Sequence, residues 1–257
     1  MYTRRSFLAT GTAAITVLPY AAHAAAHSGG DMFKTASGEI AVHPVDHASF
    51  VMETPNGVIY NDPVGGAEAY ADLPKPDLIL ITHEHGDHYD VPTLEGIMAA
   101  ETRLVTNPAV YDMLPEALQA KAEKLANGES TEALGYSIEA IPAYNITEDR
   151  QKYHPEGRDN GYILTIDGMR VYIAGDTEGT PEMRALTDID LAFVPMNLPY
   201  TMDVTQAADA VAEFAPTFVY PYHYRDSDPE EFARLLGETD AETEVKFGAW
   251  YGDTAPA

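Results

Sequence analysis

Short runs of alternating or unbroken apolar residues set the pattern of the chain. "EIAVHPV" (39–45), "SFVMET" (49–54) and "VIYND" (58–62) predict strands, and "PNG" at 55–57 marks a hairpin between the last two. "DLILIT" (77–82) is apolar almost without a break, as expected of a strand buried on both faces. "VPTLEGIMAA" (91–100) reads as a short helix entered through Pro92, and "RLVTN" (103–107) as a short strand. Residues 108–128 read as helical, broken near Pro115 and stopped by Asn127-Gly128. "GYSIEAIPA" (135–143) alternates like a strand, and 161–176 reads as two strands joined by Asp167-Gly168. Beyond it come helix 181–188, strand 190–197, helix 205–216, strand 217–224, helix 229–239 and strand 244–250. Hairpins first and strand–helix alternation later predict an α/β layered fold, in one domain over 39–257 with a mobile lead-in at 27–38.

The N-terminus changes the picture of where the protein works. Arg4 and Arg5, an apolar stretch and Ala-rich cleavage sites occur in that order over residues 1–26. This resembles a twin-arginine export signal and predicts a periplasmic protein without a stable membrane anchor. The net charge is −26, or about −28 once Arg4 and Arg5 are removed. So acidic a surface disfavours nucleic acid and anionic lipid and points to a small-molecule substrate. There is no cysteine, so a metal site must be built from histidine and carboxylate.

Three of the nine histidines fall within residues 82–88, "THEHGDH", directly after the apolar run. A turn at a strand end can aim His83 and His85 at one cation, and Asp87 and His88 at a second. Gly86 is expected to permit the sharp backbone path. Asp176 follows the apolar "VYIAG" and His223 ends "TFVYPYH", so both belong to strand ends as well.

H-x-H-x-D-H after an apolar strand resembles the signature of the metallo-β-lactamase superfamily. "IYNDP", "VYIAGDT" and "YPYHY" resemble its further landmarks in the same order. "HASF" (47–50) and "NGYILTIDGMRVYIAGDTEGTPEM" are most similar to the branch holding L-ascorbate phosphate lactonases and N-acyl-phosphatidylethanolamine phospholipase D. The resemblance implies an αββα four-layer sandwich of two mixed sheets covered by helices. It implies two divalent cations, zinc first with manganese or iron as alternatives. His83 and His85 would serve one cation; Asp87, His88 and His223 the other; Asp176 would bridge. Asp87 and Asp176 are the expected catalytic carboxylates, with Asp62 and His47 supporting the ligands.

One element departs from that pattern. Where the superfamily supplies a third histidine to the first cation, this chain has Tyr144 and Asn145, and no histidine until His154. Either His154 reaches back, or Asn145 coordinates through its oxygen, or the cation lacks a third ligand. His154 is preferred because imidazole binds such metals better than an amide. Tyr144, Asn145, Tyr200, Tyr222 and Tyr224 flank ligand segments and are expected to face substrate. The expected reaction is hydrolysis of an ester, lactone or phosphodiester. The alternatives are a β-lactamase-type amide hydrolase and a non-catalytic metal-binding protein of the same fold.

Overall fold

The computed structural model describes residues 30–252; the expected export signal and its cleavage sites lie outside them. Two seven-stranded sheets face each other. The first runs in chain order through β1 (Asp31–Lys34), β2 (Glu39–Asp46), β3 (Ser49–Thr54), β4 (Gly57–Asn61), β5 (Leu78–Ile81), β6 (Arg103–Thr106) and β7 (Ala122–Lys124). The second runs through β8 (Ser130–Ala133), β9 (Tyr136–Ala143), β10 (Asp159–Ile166), β11 (Met169–Ile173), β12 (Leu191–Pro195), β13 (Phe218–Tyr222) and β14 (Glu244–Val245). Each sheet begins with four antiparallel strands and finishes with three parallel steps.

Period-two side-chain placement explains the layers. In β5, Leu78 and Leu80 enter the core between the sheets, while Ile79 and Ile81 meet the helices outside. β12 does the same with Leu191 and Phe193 against Ala192 and Val194. The outer face of the first sheet is covered by α1 (Val91–Ile97), α2 (Pro108–Met113) and α3 (Glu116–Gln119). That of the second is covered by α4 (Pro181–Arg184), α5 (Val204–Phe214) and α6 (Pro229–Leu236). This is the expected αββα sandwich. Phe50 stacks on Phe193 at 4.0 Å between centroids, which pins the two sheets together at their centre.

Four expectations are corrected. The lead-in at 27–38 contains β1, an edge strand with one buried residue, Phe33, too weak a pattern to read in sequence. The helix at 108–128 gives way after Gln119 to β7, whose Ala122–Lys124 pairs with β6 although its composition favours helix. β8 was not anticipated, and β14 spans only two of the seven residues expected of the last strand.

Candidate metal centre

The parallel strands of both sheets present their carboxyl ends to one rim, the usual place for ligand sites in α/β sheets. Four non-glycine residues on that rim take left-handed backbone angles: His47, Asp62, His223 and Arg225, with φ between 42° and 49°. Such conformations cost about 1–3 kcal/mol each and cluster at functional sites. Gly175, which precedes Asp176, also has positive φ (66°), and a Cβ there would come within 2.7 Å of the Asn160 carbonyl oxygen. Gly86 needs no special angle and a Cβ there would meet nothing, so the turn after β5 does not depend on it.

The hydrogen bonds behind the histidines decide which ring nitrogens are free. Asp62, fully buried after β4, accepts from the Thr82 backbone N–H (2.7 Å), the Thr82 hydroxyl (2.7 Å) and His88 Nδ1 (2.8 Å). Thr82 Oγ1 has thereby given away its proton, so it accepts from His83 Nδ1 at 3.0 Å. His154 Nδ1 donates to Asn145 Oδ1 (2.9 Å), while the Asn145 amide donates to the Tyr200 carbonyl (2.7 Å). His83 and His154 therefore carry their proton on Nδ1 and present an Nε2 lone pair, while His88 gives its Nδ1 proton to Asp62 and turns Nε2 toward Asp176.

Those lone pairs converge. His83 Nε2 lies 3.0 Å and His154 Nε2 3.2 Å from His85 Nδ1. On the other side, Asp87 Oδ2 lies 3.6 Å from His223 Nε2 and 3.4 Å from His47 Nε2. Asp176 stands between the groups. Its Oδ2 is 3.4 Å from His154 Nε2, 3.9 Å from His83 Nε2 and 3.3 Å from His223 Nε2, and its Oδ1 is 3.3 Å from His88 Nε2. The donor atoms fall into three sets within mutual reach of one ion: His83, His85 and His154; His47, Asp87 and His223; His83, His88 and Asp176.

The residues fit divalent cations on the structure's own terms. The Nε2 atoms of His88 and His223 and Oδ1 of Asp176 are buried with no hydrogen-bond partner. Such atoms are costly unless something pairs with them. Burial also keeps the imidazoles neutral, holding His83 well below its ordinary pKa, His154 at about 2 and His223 at about 3. Burial alone would raise Asp87, but the His223 and His47 rings facing its Oδ2 and the nearby His88 hold it well below the carboxylate range. Neutral imidazole with carboxylate suits zinc, manganese or iron.

His88 behaves differently. Burial lowers its pKa, but the Asp176 and Asp62 carboxylates outweigh that and raise it to about 9; burial lifts Asp176 to about 7. A proton on His88 Nε2 therefore persists in the metal-free protein until the pH passes about 9, and a cation must displace it. Cation affinity at the His88 side is expected to rise about tenfold per pH unit between 7 and 9 and then level off. Chelator-competition titrations across that range check this; a flat profile would contradict it.

Five residues beyond β11, a buried carboxylate explains how His154 reaches the site. Glu178 is fully buried and accepts from the backbone N–H groups of Ile146 (2.7 Å) and Thr147 (2.6 Å) and from the Thr147 hydroxyl (2.8 Å). It also pairs with Arg150 at 2.6 Å. Arg158 ties the far end of the segment to Asp159 (2.7 Å) and to Glu84 (2.8 Å) within the histidine turn. The Asn145 N–H closes the loop on the His154 carbonyl at 2.9 Å. Glu178→Ala is expected to weaken the first cation by about 10- to 100-fold, the usual cost of losing an outer partner, and to leave the second nearly unchanged. Calorimetric titration of each site checks this; equal weakening of both would mean a general loss of fold.

The other expected residues divide. Tyr200 lines the pocket above the centre; Tyr144, Tyr222, Tyr224 and Asn145 do not. The Tyr144 hydroxyl turns to Glu182 (3.1 Å), Tyr222 is buried in the inter-sheet core, and Tyr224 packs on Tyr251. Asn145 supports His154 instead of facing substrate or a cation. The pocket encloses about 520 Å³. Tyr153, Asn197, Arg225 and Asp226 also line it; none stood out in the sequence, where nearness to His154 or His223 was a signal for all but Asn197.

Two facing mixed sheets with a histidine–aspartate centre on their carboxyl rim define a metallo-β-lactamase fold. The chain belongs to the metallo-β-lactamase superfamily: a model described as a beta-lactamase superfamily domain matches residues 41–223. A UPF0173 metal-dependent hydrolase of Pyrococcus abyssi is 32% identical over 207 residues, covering 75% of this chain and 90% of that protein. A solved structure described as a metal-dependent hydrolase from Parabacteroides distasonis is 45% identical with a TM-score of 0.75, over 85% of this chain and 97% of that one. Igni18, a metallo hydrolase from Ignicoccus hospitalis, is 25% identical with a TM-score of 0.66, over 80% of this chain and 94% of its own.

Proposed function

We propose that this metal-dependent hydrolase holds two divalent cations, zinc foremost, and cleaves a small lactone, ester or phosphodiester bearing a negative charge. The observation that carries the reading is Asp176, shared at 3.3–3.9 Å by histidines of both donor groups, beneath an open pocket. His83, His85 and His154 would hold one cation, and Asp87, His88 and His223 the other, with Asp176 between them. Cations bound there lower the pKa of water toward neutrality and polarise the bond to be cleaved.

The chain's own groups do the rest. Asp87 has one carboxylate edge open to the pocket and stays ionised, so it can orient the attacking water and accept its hydrogen bond. Tyr153 and Tyr200 meet edge-to-face at 5.0 Å and form one wall. Arg225 is the one arginine or lysine lining the pocket, and its guanidinium makes no hydrogen bond or ion pair among the described residues. In so acidic a protein an unpaired guanidinium beside the centre favours an anionic group on the substrate. Export by the twin-arginine route belongs to the same reading and rests on Arg4, Arg5 and the apolar stretch after them.

The test is metal analysis with a substrate panel that pairs anionic lactones, esters and diesters with neutral counterparts. Two cations per chain and a preference for anionic members, lost in Arg225→Ala through a raised KM, supports the proposal. One cation and no turnover across the panel would favour a non-catalytic metal-binding protein.

A further inference from the structure

The second donor set contains His47, and proton counting at a neighbouring hydroxyl decides what His47 does there. Tyr251 Oη receives the backbone N–H groups of Tyr224 (3.0 Å) and Arg225 (2.8 Å). Those two donors occupy both of its lone pairs. Its third partner is His47 Nδ1 at 2.8 Å. If Nδ1 carried a proton, three donors would point at one oxygen and the tyrosine's own proton would have no acceptor. The hydroxyl must therefore donate to Nδ1. His47 is then neutral with its proton on Nε2, and Nε2 faces Asp87 Oδ2 at 3.4 Å. This is the reverse of His83, His88 and His154, whose Nδ1 atoms face acceptors.

We infer that Tyr251 sets the tautomer of His47, making His47 a positioning donor to Asp87 and not a cation ligand. The surroundings fix the ring for that task. His47 is 2% exposed and its ring packs on that of His223 at 3.7 Å. Its backbone N–H donates to the Trp250 carbonyl (3.1 Å), and its carbonyl accepts from the His223 N–H (3.0 Å). The Nε2–H faces Oδ2 of Asp87 at 3.4 Å, so Oδ1 is the oxygen left for a cation. One hydroxyl thus links the backbone of the loop after β13 to the carboxylate of the turn after β5.

The tautomer stands on hydrogen bonding alone; the exclusion of His47 from the ligand set rests on the two-cation reading. The test is nitrogen NMR of isotope-labelled histidines in the full chain, metal-free and then loaded with a spin-active cadmium isotope. The expected result is a proton on His47 Nε2 in both states, and cadmium coupling at His83, His85, His88, His154 and His223 but none at His47. A proton on His47 Nδ1, or cadmium coupling at His47, would overturn the inference. Absence of coupling at every histidine would overturn the two-cation reading instead, while the His47 proton would still decide the tautomer.

Tyr251→Phe is expected to mix the His47 tautomers and weaken the second cation about 10- to 100-fold, leaving the first unchanged. Because that variant also frees two backbone N–H groups, His47→Gln and His47→Leu serve as the second pair. Gln offers an amide N–H toward Asp87 and should keep second-cation affinity within a few-fold of wild type, whereas Leu should lose it as Tyr251→Phe does. Equal affinities in Gln and Leu would count against the donor role.

Discussion

Asp176→Asn is expected to weaken both cations by more than about 100-fold, beyond the loss typical of an outer partner, and to reduce turnover by at least 1,000-fold. The substitution keeps the shape of the side chain and removes its charge. The Asp176 carboxylate lies within 4 Å of Nε2 atoms from both donor groups, so its loss cannot be confined to one of them. It is 3% exposed. Metal analysis after dialysis, paired with steady-state rates, checks this. Retention of two cations would show that Asp176 is not shared.

His154→Ala is expected to give a more selective defect. The first cation would keep His83, His85 and Asp176 and lose its third imidazole. Metal content should fall from two toward one per chain, with turnover down about 100- to 1,000-fold. Removing a fully buried ring also strands the Asn145 oxygen, which costs about 1–3 kcal/mol of stability by itself. Melting the metal-free variant separates the two effects, because the ligand contribution vanishes there. Wild-type metal content and turnover would remove His154 from the ligand set.

Much of this architecture is legible in the residues. The apolar run 77–82 and the turn after it announce a buried strand ending in a metal-binding cluster, and the structure places β5 and the histidine turn there. The weaker edges escape: β1 buries one side chain, and β7 is built from helix-favouring residues that pair because β6 lies beside them. His154 is legible as a departure from the familiar pattern, but the device that delivers it is not. Glu178 and Arg150 are 28 residues apart in sequence and become partners through the fold. Tyr251 is more hidden still. Nothing in "GAWYGD" signals that its hydroxyl meets two backbone amides and a ring from the opposite end of the chain. Tyr144, Tyr222 and Tyr224 show the converse: nearness in sequence to a ligand does not make a residue line the pocket.

The division of the ligands between the sheets carries a last consequence. Asp62, His83, His85, Asp87 and His88 come from the first half of the chain, and His154, Asp176 and His223 from the second. Each cation would therefore act as a rivet through two otherwise complete half-sandwiches. Binding energy at such a rivet adds directly to the stability of the folded state, by RT ln(1 + [L]/Kd) for each ion. Starvation for metal would then do more than stop turnover. It would lower the resistance of the whole molecule to opening along the plane between its sheets, so that one scarcity governs both how fast the enzyme works and how long it survives.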